Sequence, residues 1–283
     1  MNRQNPHIDD HSRFFKEKQI PYSRSKEDVW NDMMDRIQEQ KGHQSTGKML
    51  RIYWSAAAVM VLLIGLAAFM RFYSTSFNAP PGQHLSTTLP DGSRVHLNAG
   101  THLSYHPYWW QFARILELEG EAFFEVEEGN RFTVRSSHRY TQVLGTSFNI
   151  YARDDVYRVH CLTGQVEVKT GTGELKILEP NQSVIVSDRT ETKVQTGIQS
   201  EHAISWTNNR FIYTAAPMNE VFTEMERQFD ITVEIDPGIE GEYTGNFMRG
   251  ESPETILRMI ARPFGLTVEQ IHQTKYRITK GEN

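Results

Sequence analysis

The chain has 283 residues, 38% of them hydrophobic and 23% charged, with a net charge of -5. That is ordinary globular composition with room for two or three cores, neither disordered nor polytopic. The charge is uneven: residues 1–51 hold 10 Lys or Arg against 8 Asp or Glu, so the remainder carries -7. A nucleic-acid-binding domain needs a basic face on its larger part, and nucleic acid is therefore not expected as a direct partner. With Cys161 as the single cysteine, an intramolecular disulfide or a thiolate zinc site is excluded. Cys161 sits in the apolar stretch Val159-His160-Cys161-Leu162 and reads as a small buried hydrophobe.

In residues 1–51 one helix stands out. Ser25 can cap it, with Asp28 three residues on in a capping-box arrangement. Val29, Trp30, Met33, Met34 and Ile37 then recur at helical spacing, with Asp32, Asp35, Arg36 and Glu39 on the other side and Gly42 at the end. So short a tail has no core against which to bury this stripe, and its mixed polar face suits a membrane surface less than a groove on a soluble partner. Gly42–Lys48 superficially matches a phosphate loop. Met49 stands where a Ser or Thr should bind magnesium, and no strand precedes it, so it reads as a juxtamembrane linker.

Ile52–Met70 is a run of 19 residues without a charge, bracketed by Arg51 and Arg71. As a helix it is about 28 Å long, close to the hydrocarbon thickness. Tyr53, Trp54, Phe72 and Tyr73 lie where interfacial aromatics belong. The run is too long, and begins too far from the N-terminus, for a cleaved signal peptide. Arg36, Lys41, Lys48 and Arg51 precede it and Arg71 alone follows closely, which predicts a cytoplasmic N-terminus.

Residues 71–82 read as a linker and 83–190 as a mainly-β domain of short strands between turns such as Pro90-Asp91-Gly92 and Glu179-Pro180-Asn181. Leu116, Leu118, Ala122, Phe124 and Val126 share one strand face; Glu117, Glu119, Glu121 and Glu125 share the other, which is expected to be solvated. Carboxylates lined along one face do not form a glycosidase pair. Leu118-x-Gly120-x-Ala122-x-Phe124 is echoed by Leu162-x-Gly164-x-Val166-x-Val168, hinting at layered strands. His102 and His106 lack a carboxylate ligand nearby. The cluster Tyr105-His106-Pro107-Tyr108-Trp109-Trp110 could staple a sheet edge or stack on sugars.

A second linker, 191–208, leads to a small α+β domain at 209–283. Its expected order is β-α-β-β-α-β(-β): Phe211–Tyr213, a helix from Pro217, Ile231–Ile235, Tyr243–Met248, a helix opened by Ser252-Pro253, Leu266–Ile271 and Tyr276–Thr279.

Four segments in order carry a resemblance. Leu89-Pro90-Asp91-Gly92-Ser93 with Leu97-Asn98-Ala99, then Leu118–Val126, Phe132-x-Val134, and Val143-Leu144-Gly145-Thr146-Ser147-Phe148-Asn149 resemble the FecR family of anti-sigma factors. The C-terminal unit resembles the short secretin/TonB N-terminal domain. The resemblance implies an inner-membrane regulator whose tail, 1–51, binds an extracytoplasmic-function sigma factor. Its outer, periplasmic region would meet the signalling domain of an outer-membrane TonB-dependent transporter. The tail departs from many relatives in being shorter. Some relatives split at a Gly-Thr pair, which implies attack by the Thr146 hydroxyl on the Gly145 carbonyl; a tight bend before Phe148–Tyr151 is the alternative. No other catalytic group and no cofactor is expected, since no nucleophile–base pair emerges. A membrane-tethered glycan-binding module without a sigma partner is the alternative function.

Overall fold

The computed structural model describes residues 24–42, 46–171, 173–187, 190–197 and 200–281. It divides into two units, residues 1–66 and 67–283.

The described residues of the first unit are helical. Helix α1 (Lys26–Gly42) starts as its sequence dictates. The Asp28 amide donates to Ser25 Oγ at 3.1 Å and the Ser25 amide donates back to Asp28 Oδ2 at 3.2 Å, a reciprocal capping box. Asp32 and Arg36 pair at 3.1 Å one turn apart on the polar side. Of the sequence taken as a juxtamembrane linker, residues 43–45 lie outside the described residues, and α2 (Thr46–Phe72) begins directly after them. Residues 47–72 of α2 have a mean hydropathy of 2.2 in their most apolar window and are long enough to cross a membrane. The helix is thus longer than the uncharged run alone, because Thr46–Arg51 extend it at one end and Arg71 and Phe72 at the other.

The second unit opens on the end of α2 and continues with thirteen strands linked as one ladder. These are β1 (Thr75–Ala79), β2 (Leu85–Thr88), β3 (Arg94–Leu97), β4 (Thr101–Tyr105), β5 (Arg114–Glu125), β6 (Phe132–Ser136) and β7 (Arg139–Val143), then β8 (Ser147–Arg153), β9 (Val156–Cys161), β10 (Val166–Lys169), β11 (Leu175–Leu178), β12 (Gln182–Ser187) and β13 (Thr190–Thr196). Strand β5 is the hub. Its first half pairs with β4 and, in parallel, β6; its second half pairs with β3 and β8. One strand therefore serves two layers, which close on a common core that includes Leu103, Leu116, Phe124, Phe132, Phe148 and Val166. Each such buried side chain contributes about 1.5–3 kcal/mol.

The change of layer falls at Gly120, whose φ is +119°. A Cβ there would lie 2.5 Å from Thr101 Oγ1 and 2.7 Å from Thr101 Cα, so neither the conformation nor the space admits a side chain. Gly164 in the echoed motif has φ +69° and stands between β9, which pairs with β8 and β12, and β10, which pairs with β7 and β11. Both glycines of the weak repeat thus mark a crossing between layers.

Two segments expected to be linkers are structured. Residues 75–79 pair with β4 as β1, and 190–196 pair with β12 as β13. Strand β13 lies at the edge and takes its hydrogen bonds from one neighbour, so it needs no apolar alternation and shows none. Helix α3 (Ser200–Ala203) and the turn Ser205–Asn208 follow, with Trp206 buried.

The remaining elements are β14 (Arg210–Pro217), α4 (Met218–Phe229), β15 (Thr232–Ile235), β16 (Glu242–Met248), α5 (Pro253–Ala261), β17 (Leu266–His272) and β18 (Lys275–Lys280). Ser252 caps α5, accepting from the Thr255 amide at 3.2 Å, with Pro253 in the first turn. Asp230 ends α4 in the left-handed region. The element order is β-α-β-β-α-β-β, but the strands form two small sheets, β14–β16 and β15–β18–β17. The core under the two helices includes Met218, Phe222, Met225, Ile256 and Ile260. It also takes in Trp206 and Phe123, and Leu162 packs against it.

Candidate functional site

The stripe on α1 is solvent-exposed along its whole length. Trp30 is 57% exposed, and Val29, Met33, Met34 and Ile37 are each exposed as well. Five apolar side chains on a capped helix are uncovered, an arrangement that suits a helix-in-groove contact.

The second site was not legible in the sequence. Strand β5 alternates as expected at first, and Glu117 and Glu119 are exposed and Glu125 half-exposed, but Glu121 is buried. The expectation of a solvated glutamate face fails there because residues from 204 onward cover that end of the strand. Asn98 Nδ2 and Asn149 Nδ2 donate to the two Glu121 carboxylate oxygens at 2.8 and 2.9 Å. Gln228 Nε2, from α4, donates to Asn98 Oδ1 at 2.6 Å and to Glu224 Oε1 at 2.7 Å. Trp206 Nε1 donates to Asn149 Oδ1 at 3.3 Å. His84 Nε2 meets Gln228 Oε1 at 2.9 Å and, since that oxygen only accepts, carries the proton.

Burial pushes Glu121 above the usual carboxylate range, and nearby Glu224 adds to this; Arg153 and the two amides oppose it. Burial lowers His84. The network joins residues 84–153 to residues 206–228 through buried polar groups whose partners lie on both sides. Separating them would leave amides and carboxylates unsatisfied.

Beside this node lies a cleft of ≈ 840 Å³ lined by Glu117, Glu119, Arg135, Arg153, Asp154 and Arg227 among others. Two of its arginines are engaged internally: Arg153 donates to the Ala99 and Gly100 carbonyls at 2.7 and 3.0 Å, and Arg227 meets Asp154 at 3.4 Å. Among the described residues no three His, Cys, Asp or Glu side chains converge to hold a metal.

At Gly145-Thr146 the chain bends between β7 and β8. A Cβ on Gly145 would lie 2.7 Å from Glu128 Cγ and 2.9 Å from Glu128 Cα, so close approach to the preceding turn demands glycine. Gly145 is not among the glycines of positive φ. Thr146 is buried, its Oγ1 without a hydrogen-bond partner. Cys161 is also buried, its thiol pushed up to about 11 by desolvation.

The aromatic cluster divides. Tyr105 and Trp110 are buried edge-to-face, Phe77 stacks on Tyr105, and Trp110 meets Phe132. Tyr108 stays exposed.

A mostly-β part follows one helix long and apolar enough to span a membrane, and a small α+β part is locked onto it by a polar node. Residues 75–167 match the model of the FecR protein family and residues 210–279 that of the FecR C-terminal family, and the chain belongs to the FecR family. A crystal structure of a candidate anti-sigma factor from Parabacteroides distasonis ATCC 8503 at 2.50 Å is 28% identical. It has a TM-score of 0.69, covering 74% of this chain and all of that one. A second, at 1.65 Å, is 29% identical with a TM-score of 0.68 over the same shares. No curated protein is similar to the chain at a significant level. FecR membership and these anti-sigma neighbours place the chain among anti-sigma factors, with a sigma factor as the partner this implies.

Proposed function

We propose that the chain is a single-pass inner-membrane anti-sigma factor that relays a signal from a TonB-dependent outer-membrane transporter to an extracytoplasmic-function sigma factor. The observation that carries this reading is the exposed stripe Val29, Trp30, Met33, Met34 and Ile37 on the N-terminal side of the span, in a protein of an anti-sigma family. Residues 1–51 are cytoplasmic and hold the sigma factor. Residues from 71 onward are periplasmic. This orientation rests on the basic residues before the apolar run. The transporter's signalling domain meets residues 209–283, where Met248 and Met259 are exposed. The glycan-binding alternative is not favoured, because Tyr105 and Trp110 of the aromatic cluster are used up in the core. Gly145-Thr146 is read as a bend fixed by packing against Glu128.

The test captures partners on the full chain. A sigma factor retained by the wild type and lost when residues 1–51 are removed supports the reading; equal retention contradicts it. Met248→Glu with Met259→Glu should weaken capture of the transporter's signalling domain and leave sigma-factor capture unchanged.

A further inference from the structure

Between Thr101 and Ala113 the sequence carries no Asp, Glu, Lys or Arg. Of its aromatic residues Tyr105 and Trp110 are spent on the core, and Tyr108, Trp109 and Phe112 are not. Tyr108 is 49% and Phe112 71% exposed, in the turn that joins β4 to β5. The position of that turn is fixed by register. Strand β1 starts three residues after α2 ends, and Thr75 pairs with Tyr105 in antiparallel fashion. Residues after 105 must therefore run back alongside residues before 75, at the last turn of α2.

The contacts agree. The Tyr108 ring lies 5.9 Å from Phe69 and 5.3 Å from Tyr73, the His106 Nδ1 is 3.0 Å from the Tyr73 carbonyl oxygen, and Trp109 and Phe112 are 4.8 Å apart. The Arg71 guanidinium sits 5.5 Å over the Trp109 ring. Exposed Phe69, Phe72, Tyr73, Tyr108 and Phe112 thus form one aromatic patch beside Arg71, at the C-terminal end of the apolar helix. Rings with an apolar body and a polar edge favour that layer, and an arginine there can reach lipid phosphates.

We infer that the 106–112 turn inserts into the lipid–water interface of the leaflet from which α2 emerges, seating the β layers directly on the membrane. This rests on reading α2 as a membrane span. Only Tyr73 and Ser74 separate the end of α2 from β1, so the turn and the last turn of α2 lie at one edge of the β layers.

The test uses the full chain in phosphatidylethanolamine–phosphatidylglycerol vesicles whose acyl chains are brominated. An environment-sensitive dye is attached to Tyr108→Cys, Phe112→Cys, Val59→Cys or Leu175→Cys. The buried Cys161 thiol will not compete for label. Val59 lies mid-span, and Leu175 is on β11, at the ladder end opposite β1. Quenching is expected at 59, 108 and 112 and not at 175. Loss of quenching at 108 and 112 with 59 still quenched overturns the proposal, whether the dyes are open to aqueous iodide or shielded from it by protein. No quenching at 59 overturns the span itself.

Discussion

The α1 helix and the unit 67–283 solve the same problem in opposite ways. The unit buries two cores of large side chains in itself and even draws a glutamate into its interior; α1 leaves a tryptophan, two methionines, a valine and an isoleucine in water. Among the described residues nothing covers those five, and their spacing suits a partner's groove. A region that stabilises itself and a region that stabilises a complex should respond to substitution in different measurements.

The largest effect is expected at Gly120. Gly120→Ala must push Thr101 aside and hold φ at +119°, and should lower the stability of the unit by more than about 3 kcal/mol, read in thermal or urea unfolding. Next is the node. Glu121→Ala strips the acceptor from the Asn98 and Asn149 amides, and a loss of about 2–4 kcal/mol is expected from two orphaned donors. Trp30→Ala should leave both unfolding transitions where they were and weaken sigma-factor binding by roughly 2 kcal/mol.

The smallest effect is that of pH. Burial lowers His160 to about 4 and lowers His84, so the unfolded chain takes up protons near pH 6.5 that the folded one refuses. Their contribution is complete above pH 6.5 and is lost as pH falls from there toward 4. Glu121, raised, works the other way: keeping it ionised costs stability, and the cost is relieved as pH falls through its raised value. The melting temperature should drop between pH 7 and 5, drop less in His160→Gln and drop more in Glu121→Gln. A denaturing gel of the purified chain should show one band; two fragments that disappear in Thr146→Ala would restore self-cleavage at Gly145-Thr146.

Where local chemistry decides, the sequence was readable. Ser25 with Asp28, Ser252 with Pro253, and the alternation of β5 each place an element without knowledge of its neighbours. Long-range packing was not readable. Glu121 and Glu119 occupy equivalent positions in the strand pattern, and only the covering elements distinguish them. Strand β13 pairs with β12 alone at the edge of the ladder, and its sequence shows no apolar alternation that would announce it. The glycines of the weak repeat were visible, but their role at the crossings between layers needed the pairing partners.

The stripe on α1 carries the central claim, and the affinity of the full chain for its sigma factor tests it most directly. The account predicts that Trp30→Ala combined with Met33→Ala weakens that binding by at least roughly thirtyfold, the equivalent of about 2 kcal/mol, with the unit 67–283 unfolding as before. Unchanged affinity in the double variant would contradict it.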